Sequence, residues 1–411
     1  MMYDLLVVGG GAAGFFGALE AASCNPRAKI IILEKTNQLL AKVRISGGGR
    51  CNVTHHCFEP TPLSRHYPRG QRELKQLFRI FQASDTVRWF EEHGVSLKTE
   101  PDGRMFPVSN SSQQILDCFL REAERRNIVI KLMSGVEEVM HQGKGFRVRC
   151  SSGTMYEASK ILVAQGGHAR PDAYLWIQKL GHHIIPPIPS LFTFNDPSRQ
   201  FTELMGVAVQ DAIVKITGTK LEARGPVLIT HWGLSGPAVI RLSAWAAQHL
   251  HDVGYEFQVM VNWAGDQTET SLRETFQAQR EGKKKVITNP LFGLPQRLWE
   301  KLCAMAEVNS SLSWPEMPAK IQNRLMEYII RCPFSFRGKT TFKEEFVTCG
   351  GVDLSELNPA TLESKLIPGL YFAGEVLNID GETGGFNFQA AWTTAFVAAR
   401  DLAGANKKAL D

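Results

Sequence analysis

No Cys-x-x-Cys pair occurs in this 411-residue sequence, whose eight cysteines are scattered at 24, 51, 57, 118, 150, 303, 332 and 349. That spacing offers neither a disulfide framework nor a zinc site, so no metal is expected and reduced thiols in a cytosol are the expected state. Apolar runs approaching the roughly 20 residues of a bilayer-crossing helix are missing too. A strand-like stretch starts as early as Asp4, which leaves no room for a signal peptide and points to a cytoplasmic protein. Charge is not one-sided: a formal net charge of +5 permits an anionic partner without requiring one. What is present is ordinary for a globular protein, with 44% hydrophobic and 21% charged residues. The length accommodates two to three packed domains.

The first informative segment is the start. Tyr3 to Val8 is a short apolar run, as expected of a parallel strand buried on both faces. It leads into Gly9-Gly10-Gly11-Ala12-Ala13-Gly14, then a helix-like stretch from Phe15 to Ser23, then Ile30 to Leu33 ending in Glu34. Gly9 permits a tight turn, Gly11 lets backbone approach a pyrophosphate, and Gly14 lets helix and strand pack closely. The helix N-terminus, with Ala12 and Ala13 in its first turn, offers free N–H groups to phosphates. Glu34, with Lys35 beside it, is placed to meet ribose hydroxyls, and its carboxylate disfavours a 2′-phosphate. These parts in this order indicate a dinucleotide-binding βαβ unit, and they leave FAD and NAD open.

A second segment separates the two. Tyr371-Phe-Ala-Gly374-Glu375 is another buried strand ending in Gly-Glu, followed by Gly384-Gly385-Phe386-Asn387 and an Ala-rich helical pattern from Gln389 to Leu402. An NAD dehydrogenase has no need of a second nucleotide contact returning from the C-terminal part of the chain. A long FAD does, and a helix N-terminus aimed at the flavin N1–C2=O edge would stabilise the reduced anion. Lys160 to Ala164, running into Gln165, Gly166 and Gly167, is a further apolar strand, similar to the one by which two-dinucleotide-domain flavoproteins return to the Rossmann sheet. FAD is the expected cofactor.

Ser46-Gly47-Gly48-Gly49 cannot pack a core and must let backbone approach something flat or charged. Arg50, Cys51 and Asn52 then present a cation, a thiol and an amide at that place. Two readings stand: an isoalloxazine-facing loop in which these three residues are catalytic, or a phosphate-binding turn without a catalytic part. Cys51 and Cys57 are six apart, wider than a C-x4-C redox pair. A single thiol near the cofactor and a buried structural cysteine both remain open.

The run Lys42 to Thr54 resembles the signature of the YhiN/BaiN-like flavoproteins, also described as aminoacetone-oxidase-family FAD-binding proteins. Gly103 to Pro107, Pro189 to Leu191, Thr230 to Pro237, Gly350 to Val352 and Gly374 to Gln389 match the same family, so the resemblance spans nearly the whole chain. Where the family often carries Gly-Arg-Lys, this chain reads Leu40-Ala41-Lys42, so only Lys42 carries over as a cofactor contact. The resemblance implies a Rossmann-like FAD-binding domain, of the two-dinucleotide-binding-domain type, over 1–190 and 346–411. It also implies an inserted β-rich domain over 191–265 and 332–345, with a small helical subdomain over 266–331. In agreement, 207–216 and 255–261 alternate like antiparallel strands, and helical patterns cover 269–280, 295–307 and 317–331.

No second G-x-G-x-x-G occurs in the middle of the chain, so NAD(P)H is expected to bind only transiently. Thr230 to Pro237 is a turn leading into a helix, and His231 and Ser235 are candidate catalytic residues there, or a satisfied histidine beside a helix cap. Arg65 to Arg79 carries five cations against Glu73, with aromatics interleaved, and Lys283-Lys284-Lys285 is a short basic run. Each is an RNA-facing patch or a solvated face. Members of the family have been linked to reduction of uridine to dihydrouridine in ribosomal RNA and to enone reduction in bile-acid metabolism. The expectation is therefore an FAD-dependent reductase of an activated C=C bond, with ribosomal RNA as leading substrate. A small enone or amine, or a non-catalytic flavoprotein that binds RNA or a partner, is the alternative.

Overall fold

The computed structural model describes residues 2–143, 145–340 and 347–405. The chain divides into two compact units, 1–190 with 343–411, and 191–342. The boundary expected at 345–346 lies outside the described residues.

In the first unit, apolar runs form the centre of a seven-stranded sheet. Val129–Lys131, Ile30–Leu33, Met2–Val8, Met155–Val163 and Leu370–Phe372 lie side by side in that order and run parallel. Leu5 to Val8 and Ile30 to Leu33 are all buried, as strands covered on both faces require. The opening half of Met155–Val163 pairs antiparallel with Gly145–Cys150, which pairs in turn with Val136–Gln142. Helices Ala12–Cys24 and Phe386–Leu402 pack together against this sheet. A Cβ on Gly17 would come within 2.5 Å of Leu162 Cδ2, so a small residue is needed at that contact. Phe16, Trp89, Phe119 and Trp392 meet with tilted ring planes, centroids 4.8 to 5.7 Å apart, within the range of favourable aromatic pairs. Two small sheets flank the site: Thr54–His55, Arg104–Pro107 and Leu97–Thr99, and the pair Ile184–Ser190 with Val347–Val352.

The second unit holds a seven-stranded antiparallel sheet in the order Cys332–Arg337, Glu256–Asn262, Ala208–Ile216, Glu222–Ile229, Gly233–Ser235, Thr193–Asn195, Lys339–Thr340. The imperfect alternation of 207–216 has a cause: the register slips between Val209 and Ala212, a bulge that resets which side chains face inward. Helices Glu269–Gln279, Gln296–Met305 and Ala319–Ile330 follow the expected patterns. Their buried Phe276, Trp299 and Leu325 join strand residues such as Val214 and Val261 in one core.

Candidate cofactor-binding site

The N-terminal loop explains its own glycines, with one exception. Gly9 takes φ +109°, and a Cβ there would lie 2.4 Å from Ala164 O; one on Gly14 would lie 2.0 Å from Gly9 O. Both are demanded by close backbone packing. Gly11 is not. Its φ is −94°, and a Cβ there meets no protein atom within 4 Å. The same openness holds at Gly48, Gly49 and Gly166, three residues in the left-handed region. The Ala41–Gly49 helix gives way to extended backbone at Ser46, and Gly47 and Gly48 turn left-handed.

Glu34 closes the second strand. Its Oε2 accepts from Gly10 N at 2.9 Å, and its Oε1 from Thr36 N and Oγ1 at 2.9 and 2.8 Å. Lys35 Nζ lies 3.3 Å from His168 Nε2. Burial, then Lys35 and Lys42, push His168 down to about 4, which keeps the ring uncharged near neutrality. Lys42 reaches across to Glu375 at 2.6 Å, whose other oxygen accepts from Thr348 N at 3.0 Å. Gly167 fits against this pair, since a Cβ there would be 2.6 Å from Thr348 Oγ1. The Thr348 hydroxyl is buried and lacks a hydrogen-bond partner among the described residues. Gln165 turns away to Ala173 O and Trp176 Nε1.

On the far side, Gly384 and Gly385 take φ +130° and +91°, and a Cβ on Gly385 would lie 2.5 Å from Thr54 O. They place the N-terminus of the last helix, which starts at Phe386 and not, as the Ala-rich pattern suggested, at Gln389. With its amide oxygen toward this turn, Asn52 accepts from Gly385 N at 2.9 Å and donates to Thr54 O at 3.0 Å. Asn387 clasps Gly381 through both N–H (2.8 Å) and C=O (2.9 Å).

Arg50 is engaged by protein: Nη1 lies 2.6 Å from Glu100 Oε1, and the guanidinium stacks 4.0 Å above the Phe106 ring. Cys51 is wholly buried, in the left-handed region at φ +60°, and burial pushes its thiol up to about 12. All eight cysteines are free. Within the first unit the structure thus gathers Gly9 to Gly14, Glu34, Lys35, Lys42, Ser46 to Asn52, Gly166, Gly167, Glu375 and Gly384 to Asn387. His231 and Ser235 belong to the second unit. His231 is exposed in a turn closed by Thr230 N–H to Gly233 O (2.8 Å), and Ser235 ends a short strand opposite Leu228. Sequence reasoning missed Thr348, His168 and a pair at this turn, His66 and Glu382, joined at 2.9 Å. Their partners lie far along the chain, and no short-range pattern marks them.

These features fit an extended dinucleotide. The glycines at 11, 48, 49 and 166 leave bare backbone open to a ligand, a cradle that side chains would narrow, and the Thr348 hydroxyl, buried without a partner among the described residues, lies beside Gly167. Among the described residues, no helix is long and apolar enough to cross a membrane, and no group of three or more His, Cys, Asp or Glu could hold a metal ion.

The chain is 31% identical over 410 residues to a protein named ribosomal RNA dihydrouridine synthase from Escherichia coli (strain K12), covering 97% of this chain and 98% of the relative. It is 27% identical to 3-dehydro-bile acid delta(4,6)-reductase from Clostridium scindens, over 97% of this chain and 98% of the relative. Among solved structures, 3-ketosteroid-delta4-(5alpha)-dehydrogenase from Rhodococcus jostii RHA1 shares the fold, with a TM-score of 0.51 at 15% identity over 97% of each chain. Residues 3–401 match the HI0933-like protein Rossmann domain, and with that span the chain belongs to the HI0933-like family of Rossmann-fold, FAD-dependent oxidoreductases.

Proposed function

We propose that this protein reduces an activated C=C bond, with uridine in ribosomal RNA as substrate and NAD(P)H as transient electron donor. The observation that carries the reading is the full-length similarity to the dihydrouridine synthase, which spans every segment of the cradle. When bound, FAD supplies a two-electron carrier that accepts hydride from a nicotinamide and delivers it to one carbon of the substrate double bond.

The chain's own groups divide the remaining work. N–H groups at the start of helix Ala12–Cys24 hold the pyrophosphate, and Glu34 the ribose. Lys42, Lys35 and Glu375 orient the middle of the dinucleotide. The N-terminus of Phe386–Leu402 presents its positive end to the flavin. Arg50 and Asn52 keep the glycine loop in place through Glu100, Phe106 and Gly385. Arg65, Arg72 and Arg79 are exposed, as are Lys283, Lys284 and Lys285, and these cations meet RNA phosphates.

Cys51 serves packing in this reading. In native protein at pH 8 it is expected to resist a thiol reagent such as DTNB, and Cys51→Ala to bleach its flavin with NAD(P)H at the wild-type rate. Rapid labelling of Cys51, or loss of bleaching in Cys51→Ala, would restore a chemical thiol.

Two measurements test the whole reading. Anaerobic addition of NADH or NADPH should bleach the purified flavoprotein, and ribosomal RNA from a deletion strain should lose dihydrouridine by nucleoside mass spectrometry. Flavin unchanged by both nicotinamides removes the donor. Unchanged dihydrouridine removes the RNA substrate and favours the second reading, enone reduction, which the similarity to the bile-acid reductase supports.

A further inference from the structure

We infer that His66, oriented by Glu382, is the proton donor of the reduction; this rests on the proposed function and names an acid for the same site. His66 follows the short helix Pro60–Ser64 and is tied twice to the segment that carries Gly384 and Gly385. Its carbonyl accepts from Glu382 N at 2.9 Å, and its Nδ1 lies 2.9 Å from Glu382 Oε2. The ring lies 4.1 Å from that of Phe386 and within 11° of parallel, and the neighbouring Tyr67 hydroxyl donates to Phe386 O at 2.7 Å. Glu382 is 9% exposed and His66 36%.

A buried carboxylate therefore holds one ring nitrogen, and Nε2 remains as the polar atom of a partly exposed ring. This is the geometry of a positioned acid: the carboxylate fixes the orientation of the ring. Among the described residues, His55 also faces His66, with ring centroids 6.0 Å apart. His55 is engaged instead: Nε2 lies 3.1 Å from Asp102 O, Nδ1 is buried without a partner among the described residues, and burial lowers its pKa. The nearby cation Arg69 is taken up by Asp380.

Hydride adds to one carbon of the double bond, and the π electron pair moves to the neighbouring carbon. That carbon forms its new C–H bond with the proton on Nε2 of the His66 imidazolium, whose N–H bond breaks. The substrate gains two electrons and two hydrogens, the hydride donor loses two electrons, and neutral His66 takes a proton from water. Glu382 remains a carboxylate throughout.

The test uses His66→Gln, His66→Asn and Glu382→Gln in the flavin-loaded protein. All three should keep wild-type flavin content, melting temperature and bleaching by NAD(P)H. Flavin pre-reduced with dithionite is then mixed anaerobically with an unmodified ribosomal RNA transcript, or with a steroid dienone. Reoxidation should fall roughly 10²-fold in both His66 variants and about tenfold in Glu382→Gln. The limb of its pH profile contributed by the acid should disappear in the His66 variants. Wild-type reoxidation with His66 variants within threefold of it overturns the assignment of His66 and leaves the reductase reading standing. Failure of the wild type to be reoxidised by either substrate overturns both.

Discussion

Gly11→Val is expected to give a folded protein that has lost its flavin. At this position φ is −94°, which any residue adopts, and a Cβ meets no protein atom within 4 Å. The apoprotein has nothing to repack, so its melting temperature should match that of wild-type apoprotein. The new isopropyl group occupies the face on which a pyrophosphate must lie against backbone N–H groups. At least a tenfold loss of FAD affinity follows, about 1.4 kcal/mol, read as the ratio of flavin to protein absorbance after purification and as a titration of apoprotein with FAD. Gly14→Val is the contrast. There a Cβ would lie 2.0 Å from Gly9 O, and the backbone of the first turn cannot yield without breaking the helix–strand contact. That variant should be poorly soluble or melt far below wild type, whatever FAD is added. Wild-type flavin content in Gly11→Val would remove the cradle as the cofactor site.

Arg69→Met should be among the most destabilising single changes in the first unit. The Arg69 guanidinium pairs with both oxygens of Asp380, which is completely buried and also accepts from Ser190 Oγ at 2.7 Å. Burial pushes the Asp380 carboxyl up and the guanidinium draws it back. Removing the cation strands a buried carboxylate whose remaining side-chain donor among the described residues is the Ser190 hydroxyl, at a cost of about 3–5 kcal/mol. The double variant Arg69→Met, Asp380→Leu removes both charges and should recover most of that loss. Chemical denaturation of the wild type and the variants measures the difference. A loss below about 1 kcal/mol in Arg69→Met would show that the pair is solvated in solution. The pair also fastens residues 65–70 to the 380–387 turn, so flavin binding should weaken along with stability.

The parts of the site that were legible in the sequence are those whose reasons are local. Gly14 answers to Gly9 O within the same βαβ unit, whereas Gly9 answers to Ala164 O on a strand much further along the chain, and buried apolar runs mark strands wherever they occur. Ser46 to Gly49 read as backbone left bare; Gly48 and Gly49 are open, whereas a Cβ on Gly47 would lie 2.9 Å from the Phe106 ring. The side chains after that loop were harder to read. Arg50 looked like a cation aimed at a ligand, yet its partners Glu100 and Phe106 sit some fifty residues on, brought near by the small sheet that pairs Thr54 with Met105. Cys51 carries no sign in its neighbours that it would be sealed in the core. Thr348 and the His66–Glu382 pair depend on which distant strands become neighbours, a property of topology and not of any window of residues. Glu34 shows a milder version: its position was legible, but its bonds to the amides of Gly10 and Thr36 were not.

The strand Met155–Val163 has two different neighbours along one edge. Gly145–Cys150 covers its beginning, and Leu370–Phe372 covers its end. The first neighbour arrives within a few residues of synthesis, the second only after some two hundred more. Through that interval the segment Ile161 to Val163 has an unsatisfied row of amides and carbonyls, the kind of edge that recruits foreign strands. The interposed unit 191–342 brings its own sheet and its own core, and can complete them first. The first unit closes last, by pairings with large sequence separation that are slow to form. Order of assembly is thereby written into the connectivity, and the nucleotide cradle, whose Glu375 and Gly385 come from the final stretch, is the last thing the chain builds.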